Sequence, residues 1–127
     1  MFSLLENRLK RPVIIILLLI AGSSMAADMD RRAFAECIAN SGARYYGTHW
    51  CPYCKQQNAL FGEDARYLPY IECSPKGSRE TLQRCNKIGG YPTWVFPEAG
   101  KRGGVQSFSA LEKYTGCRLE AKNYFVE

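Results

Sequence analysis

His49-Trp50-Cys51-Pro52-Tyr53-Cys54 is the stretch that decides how this chain is read. A helix opening here would place Cys51 at its N-cap and Pro52 at the first helical position, where a missing N–H costs nothing. The positive end of the helix dipole favours a thiolate at Cys51. Cys54 falls one turn later, within reach of Cys51 for a tight disulfide. A reactive thiol beside a resolving thiol is the basic equipment for thiol–disulfide exchange. Thiolates at this spacing also bind zinc. The next cysteines, Cys73 and Cys85, do not form a second close pair, so the four-ligand zinc pattern is incomplete and no metal is expected. A purely structural disulfide is the other alternative. The favoured reading is a redox site whose only cofactor is the Cys51–Cys54 disulfide itself.

Outward from the motif, residues 1–26 read as an export signal. Arg8, Lys10 and Arg11 precede the apolar run from Val13 to Ala21, and Ser24-Met25-Ala26 supplies small residues where a signal peptidase cuts. The run is shorter than the ~20 residues of a comfortable membrane span; left uncleaved, it would be an N-terminal anchor. Residues 27–127 then form one small domain with a modest core. Six cysteines in such a domain fit an oxidising compartment, where disulfides persist and supplement the core. The formal charge of +5 includes the basic residues of the export segment. The remaining charges are mixed in sign, which argues against a nucleic-acid partner.

Asp30 to Asn40 carries apolar residues at helical spacing and stops at Ser41-Gly42. Ala43 to Thr48 reads as a strand, Cys51 to Phe61 as a helix weakened or ended by Gly62, and Tyr67 to Cys73 as a second strand. Ser78 resembles an N-cap for a short helix over Glu80 to Ile88. Gly89-Gly90 breaks the chain before an apolar strand from Tyr91 to Phe96. Its hairpin partner is expected at Gly103 to Ser107, after a turn around Glu98 to Arg102. Ser107 or Ser109 would cap a last helix ending near Gly116. The order α-β-α-β-α-β-β-α gives a small mixed sheet with helices on its faces, and Cys51 at the carboxyl end of the first strand, where open α/β folds place their sites.

That order resembles the thioredoxin fold. Tyr46-Gly47, Trp50 to Cys54, Pro69-Tyr70-Ile71-Glu72-Cys73-Ser74-Pro75, Cys85 and Tyr91-Pro92-Thr93-Trp94 together resemble the thioredoxin-like domain of vitamin K epoxide reductase homologues, over roughly Ser41 to Gly116. The resemblance implies an α/β fold with a central mixed four-stranded sheet flanked by helices. It implies Cys51 as the sulfur attacked or attacking in the mixed disulfide, and Cys54 as the resolving thiol. Pro92 would follow a cis bond, with Tyr91 offering backbone groups to an extended substrate. Cys73 and Cys85 would form a structural disulfide. Trp50, Pro52 and Tyr53 would complete the substrate-contacting surface. Thioredoxin carries a buried Asp six residues before its first active cysteine; here that position is Tyr45, so no carboxylate proton acceptor for Cys54 is visible.

Cys37 and Cys117 are then left over. Paired, they would tie the first helix to the end of the last, worth roughly 2–4 kcal/mol; otherwise one is free or linked to a partner. His49 is either an aid to the Cys51 thiolate or an exposed loop residue. Lys55 reads as a solvated helix lysine, and Trp94 and Phe96 as core.

The leading function is an exported thiol–disulfide oxidoreductase, in a periplasm or thylakoid lumen. Its substrates would be reduced or misoxidised exported proteins, and a separate membrane oxidase of the vitamin K epoxide reductase type would recharge it. Two alternatives remain. Cys51-Pro52-Tyr53-Cys54 is also the dithiol sequence of glutaredoxins, which reduce glutathione mixed disulfides. The other alternative is a non-enzymatic, disulfide-stapled binding domain.

Overall fold

Tyr45 and Trp94 face each other across two antiparallel strands and stack at 4.6 Å between ring centroids. The sheet is built around that pair. In the computed structural model, which describes residues 28–123, strand β1 (Arg44–Gly47) lies inside a four-stranded sheet of order β2-β1-β3-β4. It pairs in parallel with β2 (Tyr70–Glu72) and antiparallel with β3 (Thr93–Phe96), which pairs antiparallel with β4 (Gly100–Gly103). The export segment expected over residues 1–26 lies outside the described residues. No helix among the described residues is long and apolar enough to cross a membrane.

Three helices flank the sheet: α1 (Arg31–Asn40), α2 (Pro52–Phe61) and α3 (Phe108–Thr115). Each begins where its sequence supplies a side-chain acceptor for an otherwise unbonded first-turn N–H. The Asp30 carboxylate accepts from Ala33 N, Cys51 Sγ from Cys54 N, and Ser107 Oγ from Ala110 N. Gly116, in left-handed conformation, ends α3. Their apolar faces meet in one core containing Phe34, Ile38, Tyr45, Phe61, Trp94, Phe96 and Leu111. Phe34, Phe61 and Phe108 contact one another with centroids 5.2 to 5.9 Å apart; such pairs add about 0.5–1.5 kcal/mol each beyond burial. This is the α/β, thioredoxin-like architecture that the resemblance implies.

Two disulfides reinforce it. Cys37–Cys117 joins α1 to the chain after α3, across 80 residues of sequence. Cys73–Cys85 closes a loop of sequence separation 12.

Three local expectations are corrected. The helix expected over Glu80 to Ile88 is absent: only Gln83–Cys85 forms a turn of 3-10 helix. Leu82 is extended, its N–H donating to Cys73 O at 2.8 Å, and the bridge to Cys73 holds Cys85, so tertiary bonds override helical propensity. The partner of β3 is Gly100–Gly103 rather than Gly103 to Ser107. Gly100, with φ of +74°, closes the hairpin after three residues. Beyond it, Gln106 gives both its backbone N–H and its carbonyl to the Gln57 side chain, not to β3. Finally, β2 is shorter than Tyr67 to Cys73, because a 3-10 segment (Gly62–Tyr67) follows α2.

Candidate functional site

The end of β1 and the start of α2 bring the two unbridged cysteines together. Cys51 is the N-cap of α2 and Pro52 opens the helix. The Cys54 amide donates to Cys51 Sγ at 3.2 Å, and the Cys51 thiol donates to the backbone oxygen of Tyr91 at 3.5 Å. The Tyr91–Pro92 peptide bond is cis. The site is thus assembled from two segments 40 residues apart in sequence: the β1–α2 junction and the entry to β3. Both sulfurs are buried, yet the residues between them are open, with Pro52 exposed and Tyr53 60% exposed. Cys73 and Cys85 are bonded to each other, so among the described residues Cys51 and Cys54 hold the free thiols.

Cys54 sits in a different environment from Cys51. Burial pushes its thiol up to about 12, reinforced by the hydrogen bond with Cys51 and by the charges of Cys51 and Glu72, and opposed by the Thr48 backbone. Cys54 is therefore neutral at neutral pH. Behind it, Tyr45 is fully buried, and its hydroxyl lies 3.1 Å from Cys54 O and 3.0 Å from Asn58 Oδ1. Burial drives the Tyr45 phenol upward too. The position where thioredoxin holds an acid is filled here by a neutral group bonded to the helix.

Trp50 and His49 are held by the loop that the Cys73–Cys85 bridge closes. Trp50 Nε1 donates to Ser74 Oγ at 3.0 Å, its ring meets that of Tyr91 edge-on at 6.1 Å, and the Arg79 guanidinium lies over it at 5.2 Å. His49 Nε2 is 3.0 Å from both Pro75 O and Ser78 O, so the ring anchors this loop. Lys55 is exposed on α2. Trp94 and Phe96 are core, as their apolar strand suggested.

Three contributors were not evident from the sequence. Gln57 is fully buried, accepting from Trp94 Nε1 and Gln106 N and donating to Gln106 O, which locks α2 to β3. Glu72 accepts from His49 N at 2.8 Å, Tyr70 hydroxyl at 2.9 Å and Cys73 N at 3.0 Å. Gly47, its partner in the ladder, leaves room for Tyr70 beside Cys54. A glycine in a strand is a sign of close approach, and that was the available clue.

No protein-family model matches the chain. It is 34% identical over 97 residues to a protein of Arabidopsis thaliana named thiol-disulfide oxidoreductase LTO1; the match covers 72% of this chain and 26% of that protein. The chain thus spans about a quarter of the length of that relative.

Proposed function

We propose that this chain is a thiol–disulfide oxidoreductase acting on exported proteins through Cys51 and Cys54. The observation that carries the reading is the Cys51 thiol at the start of α2, 3.5 Å from the backbone oxygen of Tyr91, with Cys54 one turn behind. The name of the Arabidopsis relative supports the same chemistry.

In the oxidising direction, a substrate thiolate attacks Cys51 of the Cys51–Cys54 disulfide. The bond between the two cysteines breaks, and Cys54 leaves with the electron pair and takes a proton. A second substrate thiolate then attacks the substrate sulfur of the mixed disulfide and releases Cys51 as thiolate. The substrate gains a disulfide and the site holds two electrons. A separate membrane oxidase, of the vitamin K epoxide reductase type, would withdraw them. Reduction of wrong disulfides runs through the same residues in reverse, and redox poise alone selects the direction. The apolar run near the N-terminus and the two further disulfides support an exported, oxidising setting such as a periplasm or thylakoid lumen.

Tyr91 and Pro92 would meet the substrate backbone, with Trp50, Pro52 and Tyr53 around them. A groove of about 400 Å³ continues from Tyr91 and Pro92 past Gly90 and Gly104, with Lys87 and Lys101 beside it. It has room for the flanks of an extended chain.

The test is capture. With Cys54→Ser, the Cys51 thiolate should attack the disulfide of a misoxidised exported polypeptide, release one of its sulfurs as a thiol and stay linked to the other, and Cys51→Ser should capture none. Failure of Cys54→Ser to trap any disulfide-bearing substrate would overturn the reading. Robust turnover of glutathione mixed disulfides would favour the glutaredoxin alternative.

A further inference from the structure

In the exchange proposed above, Cys54 gains or loses one proton per turnover, and its sulfur is buried. Strand β2 places Tyr70 and Glu72 on one face, two residues apart, and the Tyr70 hydroxyl donates to Glu72 Oε2 at 2.9 Å. A Cβ at Gly47 would lie 2.7 Å from Tyr70 Cε2, 3.1 Å from Cys54 Sγ and 3.4 Å from the Tyr70 hydroxyl oxygen. The missing side chain at Gly47 therefore lets the sulfur and the phenol face one small space.

We propose that Tyr70 and Glu72 form the proton path of Cys54, with Glu72 as the carboxylate that thioredoxin places on β1. The inference rests on Cys51–Cys54 being the exchanging pair. When a substrate thiolate opens the Cys51–Cys54 bond, Cys54 takes the phenol proton of Tyr70, and Tyr70 is refilled through Glu72, which is partly open to water. In reverse, the Cys54 proton leaves by the same path. The thiolate attacks Cys51 Sγ, the intramolecular disulfide forms, and the substrate departs with the electron pair of its broken S–S bond.

Other titratable or charged groups face this cluster. Tyr45 turns its hydroxyl to Cys54 O and Asn58, and among the described residues it is hydrogen-bonded to no carboxylate. His49 gives Glu72 only its backbone N–H, and its ring lies on the 75–78 loop. Arg84 Nε donates to the Glu72 backbone oxygen at 3.0 Å. Cys51 is the reaction partner itself.

The test uses the reduced protein and the chromogenic disulfide dithiobis-nitrobenzoate in stopped flow. Cys51 attack releases one coloured thiol and Cys54 resolution releases a second. For Glu72→Gln the first phase should stay within about twofold, whereas the second should slow about tenfold or more at neutral pH, less as pH rises. A carboxylate that only repels charge has the opposite sign: neutralising it favours the Cys54 thiolate and speeds the second phase. Tyr70→Phe, which keeps the ring, should also slow that phase, and it carries the test should Glu72→Gln not fold. A second phase unchanged or faster in the folded variants would overturn the proton path. Wild-type protein that releases no second coloured thiol would instead overturn the exchange reading itself.

Discussion

The two cysteine pairs beside the site use the same side chain for opposite ends. Cys51, Cys54, Cys73 and Cys85 are all buried, each no more than 3% exposed, so burial does not separate a reactive thiol from a staple. The backbone around them does. Cys51 lies at a helix start, its sulfur bonded by an amide and bonded to a carbonyl, and exposed residues follow it. Cys73 is followed by buried Ser74, and its carbonyl is held by Leu82. Exposed Pro52 and Tyr53 border the first pair, and the second closes a loop of its own. The two are nonetheless linked, because Ser74, Pro75 and Ser78 of the bridged loop hold Trp50 and His49.

The widest contrast should appear in alkylation. With its thiol pushed up to about 12 by burial, Cys54 in the reduced protein should hold about a thousandfold less thiolate at pH 9 than an exposed cysteine. Site-resolved mass spectrometry of alkylation rate against pH checks this, and a Cys54 profile with its midpoint near that of an exposed thiol would remove the contrast. Linkage fixes the stability counterpart. The raised thiol binds its proton more tightly folded than unfolded, so its contribution is fully present below the ordinary thiol range. That contribution is lost as pH climbs toward about 12.

Next come the bridges. Removing Cys37–Cys117 with paired alanines should cost about 4 kcal/mol, from the long loop it closes, and leave the exchange rate of folded protein unchanged. Removing Cys73–Cys85 should cost less, about 3 kcal/mol, but should also slow exchange, because its loop positions Trp50 and His49. Denaturant unfolding alongside an exchange assay separates the two outcomes. Equal effects on rate would mean that the 73–85 loop does not position the site.

Legibility in the sequence followed the range of the interactions. Helices α1, α2 and α3 were readable because Asp30, Cys51-Pro52, Ser107 and Gly116 act on their own chain neighbours. The motif carried the position of Cys51 for the same reason. The 78–88 segment was misread because its fate lies with Cys73 and Leu82, and the β4 register because Gly100 and Gln57 decide it from outside the strand pattern. Glu72 was quoted as part of a motif and its role was missed. That role depends on Tyr70, Gly47 and His49 arriving from two strands and a loop.

The smallest predicted effect is also the finest probe of the boundary between the pairs. Gly47→Ala leaves the strand backbone conformation available, so its cost is steric. The new methyl would stand 2.7 Å from Tyr70 Cε2 and 3.1 Å from Cys54 Sγ, and one of them must yield. Cys54 is fixed in α2, whereas the Tyr70 ring is 39% exposed and can swing outward. The expected loss is about 1 kcal/mol, the low end for overpacking. The swing also draws the phenol from Glu72 Oε2, so release of the second chromogenic thiol should slow, as in Tyr70→Phe. A Gly47→Ala protein with wild-type stability and an unaltered second phase would show that Tyr70 does not need this space, and the closeness of Tyr70 to Cys54 would then carry no chemistry.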